Sequence, residues 1–210
     1  MNKYVAEFYG TFLLLVSILG TFYLSSTVLG APDHITVLLI ALAVAATLFS
    51  NINIFIKVSG AHFNPAISFM MFIKGNLNLN DCLLYILMQI SGGVLGVIVS
   101  HIMFGADILS VSEIDRSPST LLLAELIATS GLLIVIAMLE KSSPEKIPSC
   151  VALFILAATF FTSSTCFANP AVTFARIFTD SGVGIDIYSA FNFLIVQFVS
   201  ALIVAKTIKS

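Results

Sequence analysis

The stretch Ser59-Gly60-Ala61-His62-Phe63-Asn64-Pro65-Ala66 and its partner Cys166-Phe167-Ala168-Asn169-Pro170-Ala171 set the same tripeptide, Asn-Pro-Ala, at corresponding points in the two halves of a very apolar chain. Asparagine caps helix N-termini, proline is pre-shaped for the first helical turn and alanine continues it, so each tripeptide reads as a helix start. Each interrupts a hydrophobic stretch. Backbone broken at membrane depth persists only where protein buries it or where it lines a wet cavity. The pair predicts two half-helices that meet near a bilayer midplane and border a pore.

Composition places the remainder in lipid. The 210 residues are 59% hydrophobic and 10% charged, with a mean hydropathy of +1.08, far more apolar than a soluble domain of this size. Six long apolar runs, 4–27, 35–56, 82–104, 120–139, 149–164 and 187–205, suit a hydrocarbon core about 30 Å thick and leave no room for a soluble domain. The first contains Glu7, is too long for a signal-peptide core and lacks a small-residue cleavage site, so it is read as a retained span. Cys82, Cys150 and Cys166 show no metal-ligand spacing and no disulfide framework. Nothing in the sequence calls for a cofactor, a metal or a nucleic-acid partner.

The net charge of −2 says little, but its distribution orients the chain. Lys3, Lys57, Lys74, Lys141, Lys146, Lys206 and Lys209 fall on one side of the six spans, and Arg116 and Arg176 on the other with Asp33, Asp107, Glu113, Asp115, Asp180 and Asp186. The positive-inside rule then puts both termini in the cytoplasm of a multi-pass protein.

The halves, about 1–105 and 119–210 of one transmembrane domain, resemble each other at three places. Ala6-Glu7-Phe8-Tyr9-Gly10-Thr11 matches Ala124-Glu125-Leu126-Ile127-Ala128-Thr129, the two tripeptides match, and Gln89-Ile90-Ser91-Gly92-Gly93 matches Gln197-Phe198-Val199-Ser200-Ala201. Three spans per half is an odd number, so the second half inserts upside down, an arrangement that sets the working site at the midplane. The segments 64–73 and 169–179 are each roughly 15 Å of helix at 1.5 Å per residue, and two end to end cross one bilayer core. Gly92 and Gly96 form a small-xxx-small pattern suited to close helix packing.

With these motifs in place, the chain resembles the aquaporin and glycerol-facilitator family, the major intrinsic proteins. The likeness runs through the Ala-Glu-Phe-x-Gly-Thr opening, Ser-Gly-Ala-His-x-Asn-Pro-Ala, Glu125 and the second Asn-Pro-Ala. It implies an all-α membrane fold of six transmembrane helices plus two re-entrant half-helices. It further implies a passive channel without catalysis or cofactor, assembled as a homotetramer with one pore per subunit, in a bacterial inner membrane.

The residues supply a mechanism of their own. Each half-helix N-terminus carries about half a positive charge and free N–H groups, so two of them at the pore centre repel cations. The Asn64 and Asn169 amides are donors for a passing water or hydroxyl oxygen as well as caps. Glu7 and Glu125 are carboxylates inside spans, where charge is expensive and partnered; the resemblance assigns them to supporting the re-entrant loops. His62 is open to two readings, pore lining or packing. His34 and His101 receive no role.

The chain departs from the family at the outer constriction. Where family members commonly carry Arg after the second tripeptide, this sequence has Val172. Counting from the tripeptides, the other constriction positions fall on Cys166, Ala157 and Ala41. Such a ring lacks aromatic and charged side chains, so it should be wide and admit larger uncharged solutes, water and glycerol first. A bacterial subgroup with Asn-Pro-Ala-Val-Thr and a downstream Arg is similar, and some of its members are implicated in passage of arsenic compounds, which makes neutral metalloid species the alternative permeant. Arg176, one helical turn beyond Val172, either flanks the outer vestibule or is tied up by Asp180 or by snorkelling. Readings from other classes are a secondary transporter, disfavoured by the lack of an ion-coupling pair, and a scaffold with a closed pore.

Overall fold

The structure, a computed structural model, describes residues 1–208; Lys209, placed above among the cytoplasmic lysines, lies outside them. It is all-α: α1 (Lys3–Phe22), α2 (Asp33–Ser59), α3 (Pro65–Ile73), α4 (Leu79–Phe104), α5 (Ser119–Ser142), α6 (Ile147–Phe161), α7 (Pro170–Ala175) and α8 (Ile187–Thr207). Six of these, with a π-helical turn Tyr23–Val28 extending α1 and a 3₁₀ turn Pro144–Lys146 opening α6, are long and apolar enough to cross a membrane.

Polar caps set the helix starts. The Asn2 side chain accepts from the Tyr4 amide, Asn78 from Asp81, and Asp186 from Tyr188 and Ser189. Asn64 and Asn169 do the same for α3 and α7, each with proline in the first turn. The sequence places the second half-helix over 169–179; its α-helical part ends at Ala175 and a 3₁₀ turn, Arg176–Phe178, completes it. The fifth span closes at Phe161 rather than 164, because the chain turns extended at Thr162 to enter the second loop.

The short helices lock the halves together. α3 packs against α8, and α7 against α4, so each half-helix lies against a span from the other half. α1 lies deepest against α4, and the contact runs through glycine. A Cβ on Gly92 would sit 2.2 Å from the Phe8 carbonyl oxygen, and one on Gly96 2.7 Å from that of Phe12. Both obstacles are main chain and cannot rotate away. Gly92→Ala should therefore force α1 and α4 apart, costing about 1–3 kcal/mol as overpacking does. A detergent melting curve superimposable on the wild type would remove this contact as the limit on their approach.

Candidate functional site

Two buried carboxylates organise the centre. Glu7 receives the Ser59 hydroxyl (2.6 Å) and the His62 amide (3.0 Å) on Oε1, and the Phe63 amide (2.6 Å) and Gln89 Nε2 (2.8 Å) on Oε2. Glu125 receives the Ser164 hydroxyl (2.7 Å) and the Phe167 amide (2.9 Å) on Oε1, and the Ala168 amide (2.9 Å) and Gln197 Nε2 (2.8 Å) on Oε2. Both glutamates are wholly buried, and no cation approaches within ion-pair distance among the described residues. Hydrogen bonds alone stabilise these charges, and charge-assisted ones are the strong class.

The loops they hold are conformationally unusual. Ala61, Phe63, Thr165, Cys166 and Ala168 have φ between 45° and 60°, a region that L-residues visit at a cost. Ala61 and Phe63 stand 105 residues before Cys166 and Ala168. The loop carbonyls are largely unclaimed within the described residues. Those of Gly60, Ala61 and His62, and of Thr165, Cys166 and Phe167, accept no hydrogen bond among the described residues, and all six residues line one cavity.

That cavity, about 470 Å³, reaches from Leu77, Glu140 and Pro144 at the end carrying the termini to Arg116, Arg176 and Val183 at the other. Opposite the loops its wall is apolar. α2 contributes Ile40, Val44, Leu48 and Ile52, and α6 contributes Ile147, Val151, Ile155 and Thr159, two stripes at i, i+4 spacing whose members pair at a constant offset. Leu14 and Ile18 of α1 correspond to Leu132 and Ile136 of α5 in the same way, 118 residues on, and all four line the cavity.

Asn64 and Asn169 meet at the middle. Each Oδ1 caps its own half-helix, accepting from Ala66 and Ala171 at 2.9 Å. Each Nδ2 also clasps the opposite loop, Asn64 on the Ala168 carbonyl and Asn169 on that of Phe63, both at 2.8 Å. An amide has two N–H donors, so one on each remains for a guest. This reciprocal clasp was not foreseen from the sequence.

Of the positions expected from the sequence at a constriction, Ala41, Cys166 and Val172 line the cavity. Ala157 does not: it is exposed on the outer surface of α6, and Ile155 and Thr159 take the inward face. Ala157 lies two residues from each of these, far enough around α6 to leave the cavity. His62 serves both readings, lining the cavity while its Nδ1 lies 3.0 Å from the Ser68 hydroxyl and its ring packs edge-on against Tyr85.

Arg176 is neither paired with Asp180 nor snorkelled. It is buried, its Nε donates to the Val183 carbonyl, and its guanidinium lies 3.5 Å from the Phe167 ring centroid. Arg116, read from the sequence only as a loop charge, reaches the same ring at 5.2 Å and donates to the Gly184 and Gly182 carbonyls at 2.9 and 3.3 Å. Burial draws the Arg116 pKa down, with Glu125 opposing; arginine stays protonated regardless. Both arginines line the cavity.

Comparison with known proteins agrees with this geometry. Residues 1–155 match the family model described as major intrinsic protein. The chain is 35% identical over 201 residues to aquaglyceroporin AqpS of Rhizobium meliloti (strain 1021), covering 96% of this chain and 86% of that protein. It is 29% identical over 185 residues to an aquaglyceroporin of Toxoplasma gondii (strain ATCC 50611 / Me49), covering 83% of this chain and 64% of the relative. In fold it superposes on the X-ray structure of the aquaglyceroporin from Plasmodium falciparum with a TM-score of 0.77, at 22% identity, over 97% of this chain and 93% of that one.

The carboxylate cluster gives a direct test. Glu125→Gln turns one acceptor oxygen into an NH₂ facing N–H and O–H donors, leaving buried donors unmatched. A loss of about 2 kcal/mol or more is expected, read as a lower melting temperature in detergent. An unchanged melting temperature would show that the loop holds its left-handed residues without Glu125.

Proposed function

The chain belongs to the major intrinsic protein family, and from that membership we propose that it is a passive transmembrane channel for water and small uncharged solutes such as glycerol. One observation carries the reading: a single cavity reaches both ends of the molecule with an apolar wall on one side and a line of unclaimed carbonyls and two asparagine amides on the other. A molecule with hydroxyls on one edge and carbon on the other matches both faces. Water satisfies the polar line alone.

Charge selection follows from the same parts. Both half-helices begin at the centre, so the positive ends of their dipoles and the two asparagine donors oppose cations there. The carbonyl line and the donors fix the orientation of each oxygen that passes, which breaks a continuous proton wire. Glu7 and Glu125 act as supports, their oxygens being consumed by the loops. Val172 at the constriction keeps that level wide, and neutral metalloid species are the next class of permeant to examine. We place both termini in the cytoplasm, treat the two halves as inverted repeats of one domain, and expect a homotetramer with one conduit per subunit.

Stopped-flow shrinkage and reswelling of reconstituted vesicles tests the function. Water and glycerol fluxes well above those of empty vesicles, running downhill and indifferent to Na⁺ or H⁺ gradients, are expected. A need for an ion gradient would make the protein a transporter, and no flux at all a scaffold. Val172→Arg should narrow the conduit and cut glycerol flux more than water flux; equal scaling at equal abundance would take Val172 out of the constriction. External block by a membrane-impermeant thiol reagent is expected in the wild type and not in Cys166→Ser, since Cys82 and Cys150 lie at the starts of α4 and α6. Persisting block in that variant would count against the placement of the Cys166 loop on the outer side.

A further inference from the structure

We propose that the conduit mouth away from the termini is a binding site for a small oxoanion, a carboxylate by preference, held between Arg116 and Arg176 beside the Phe167 ring, and that an anion bound there obstructs the passage of uncharged solutes.

The two guanidiniums are fixed in place by carbonyls of three consecutive residues, Gly182, Val183 and Gly184, and by the face of Phe167. Those contacts consume both Nε groups and one terminal nitrogen of Arg116. Both terminal nitrogens of Arg176, and the other one of Arg116, have no acceptor among the described residues, although Arg176 is 94% buried. Nor does either cation have a carboxylate within 4.0 Å, the ion pairs among the described residues being Lys3 with Asp81 and Lys74 with Glu140. Glu125 has both oxygens filled by the loop and Gln197. Asp115 and Asp186 each accept only on Oδ1, from the Ser117 amide and Ser189 hydroxyl and from the Tyr188 and Ser189 amides, and neither comes within 4.0 Å of a guanidinium.

A planar fork of donors, rigid, positively charged and short of acceptors, is what a carboxylate or related oxoanion fits bidentately. Two like charges against one ring repel, and an anion between them removes that repulsion while the aromatic face screens it only in part. Between this mouth and the Asn64–Asn169 pair the wall includes Val172, Val44 and Ile18, an apolar stretch that an anion reaches only by giving up both arginines. A bound anion is therefore retained at the mouth, and neutral solutes must pass it.

The test has a binding arm and a flux arm, both with the intact protein at constant ionic strength. Line broadening of isotope-labelled formate by detergent-solubilised protein should saturate in the wild type and in Lys57→Gln, a distant exposed lysine. Arg116→Gln and Arg176→Gln should each weaken it roughly tenfold or more, the loss of one charged hydrogen-bonding partner. Arg116 is only half-buried, so its variant decides the matter should Arg176→Gln fail to fold. In vesicles, formate outside should slow glycerol flux in the wild type and not in Arg116→Gln. Broadening equal in wild type and both arginine variants, or displaced equally well by chloride, would overturn the site, the second because a spherical ion would then serve as well as a fork-matched one. Binding without slowed flux would overturn the obstruction. Absence of any glycerol flux would instead defeat the channel reading, and the formate titration would still decide the anion site.

Discussion

Everything in this molecule depends on keeping broken backbone at the depth of a membrane, where no bulk water satisfies it. Glu7 and Glu125 solve that problem twice in one way. Each carboxylate gathers two loop amides, a serine at or beside the start of the loop and a glutamine from a neighbouring span. The left-handed residues at 61, 63, 165, 166 and 168 each cost on the order of 1 kcal/mol or more, and four charge-assisted hydrogen bonds per carboxylate offset that. The amides are spent on the glutamates, and the carbonyls of residues 60–62 and 165–167, on the cavity wall, are left unclaimed among the described residues. The polar line of the conduit is the other side of its anchoring.

The Asn-Pro-Ala loops then close on each other. Their cross-clasp, Asn64 to Ala168 and Asn169 to Phe63, joins the two halves at the centre, in addition to helix packing and to polar links nearer the ends such as Lys74 with Glu140 and His101 with Thr179. It also fixes the spacing of the two remaining amide donors, so the centre of the conduit is set by bonds inside the protein. α3 against α8 and α7 against α4 brace the same junction from outside. Support and function share atoms here, so substitutions at the glutamates or asparagines are expected to move stability and flux together.

Most of this frame was legible in the sequence. The apolar runs foretold the six spans, the capping tripeptides fixed the half-helix starts to the residue, and a carboxylate inside each of two spans announced a buried acceptor. Ala41, Cys166 and Val172 fell on the cavity wall. Ala157 did not, because each residue turns a helix by about 100°, so a count two residues away from Ile155 or Thr159 lands on the outer surface. Arg116 was missed for another reason. In a sequence it is one charge in a polar loop, and only the folded path past Gly182 and Gly184 brings it onto Phe167. The role of Gln89 and Gln197 was within reach, since they mark the third matching stretch between the halves.

Pseudo-symmetry supplies the frame, and its violations supply a direction. Val172 and Arg176 correspond, 105 residues on, to Ile67 and Met71, and all four line the cavity. The same helical face is thus apolar towards the end carrying the termini and cationic towards the other. At the first end the buried lysine, Lys74, lies 3.4 Å from Glu140, whose other oxygen takes the Asn76 amide at 2.6 Å, so that mouth is neutralised. At the second, the arginines keep their charge. Coulomb energy falls slowly with distance in a poorly screened cavity, so the positive field of the arginines adds to that of the half-helix ends. α7 is only six residues, and its dipole alone is the weaker of the two. Arg176, one turn beyond Val172, and Arg116 beside it therefore concentrate positive charge at the end of the cavity from which the shorter half-helix enters.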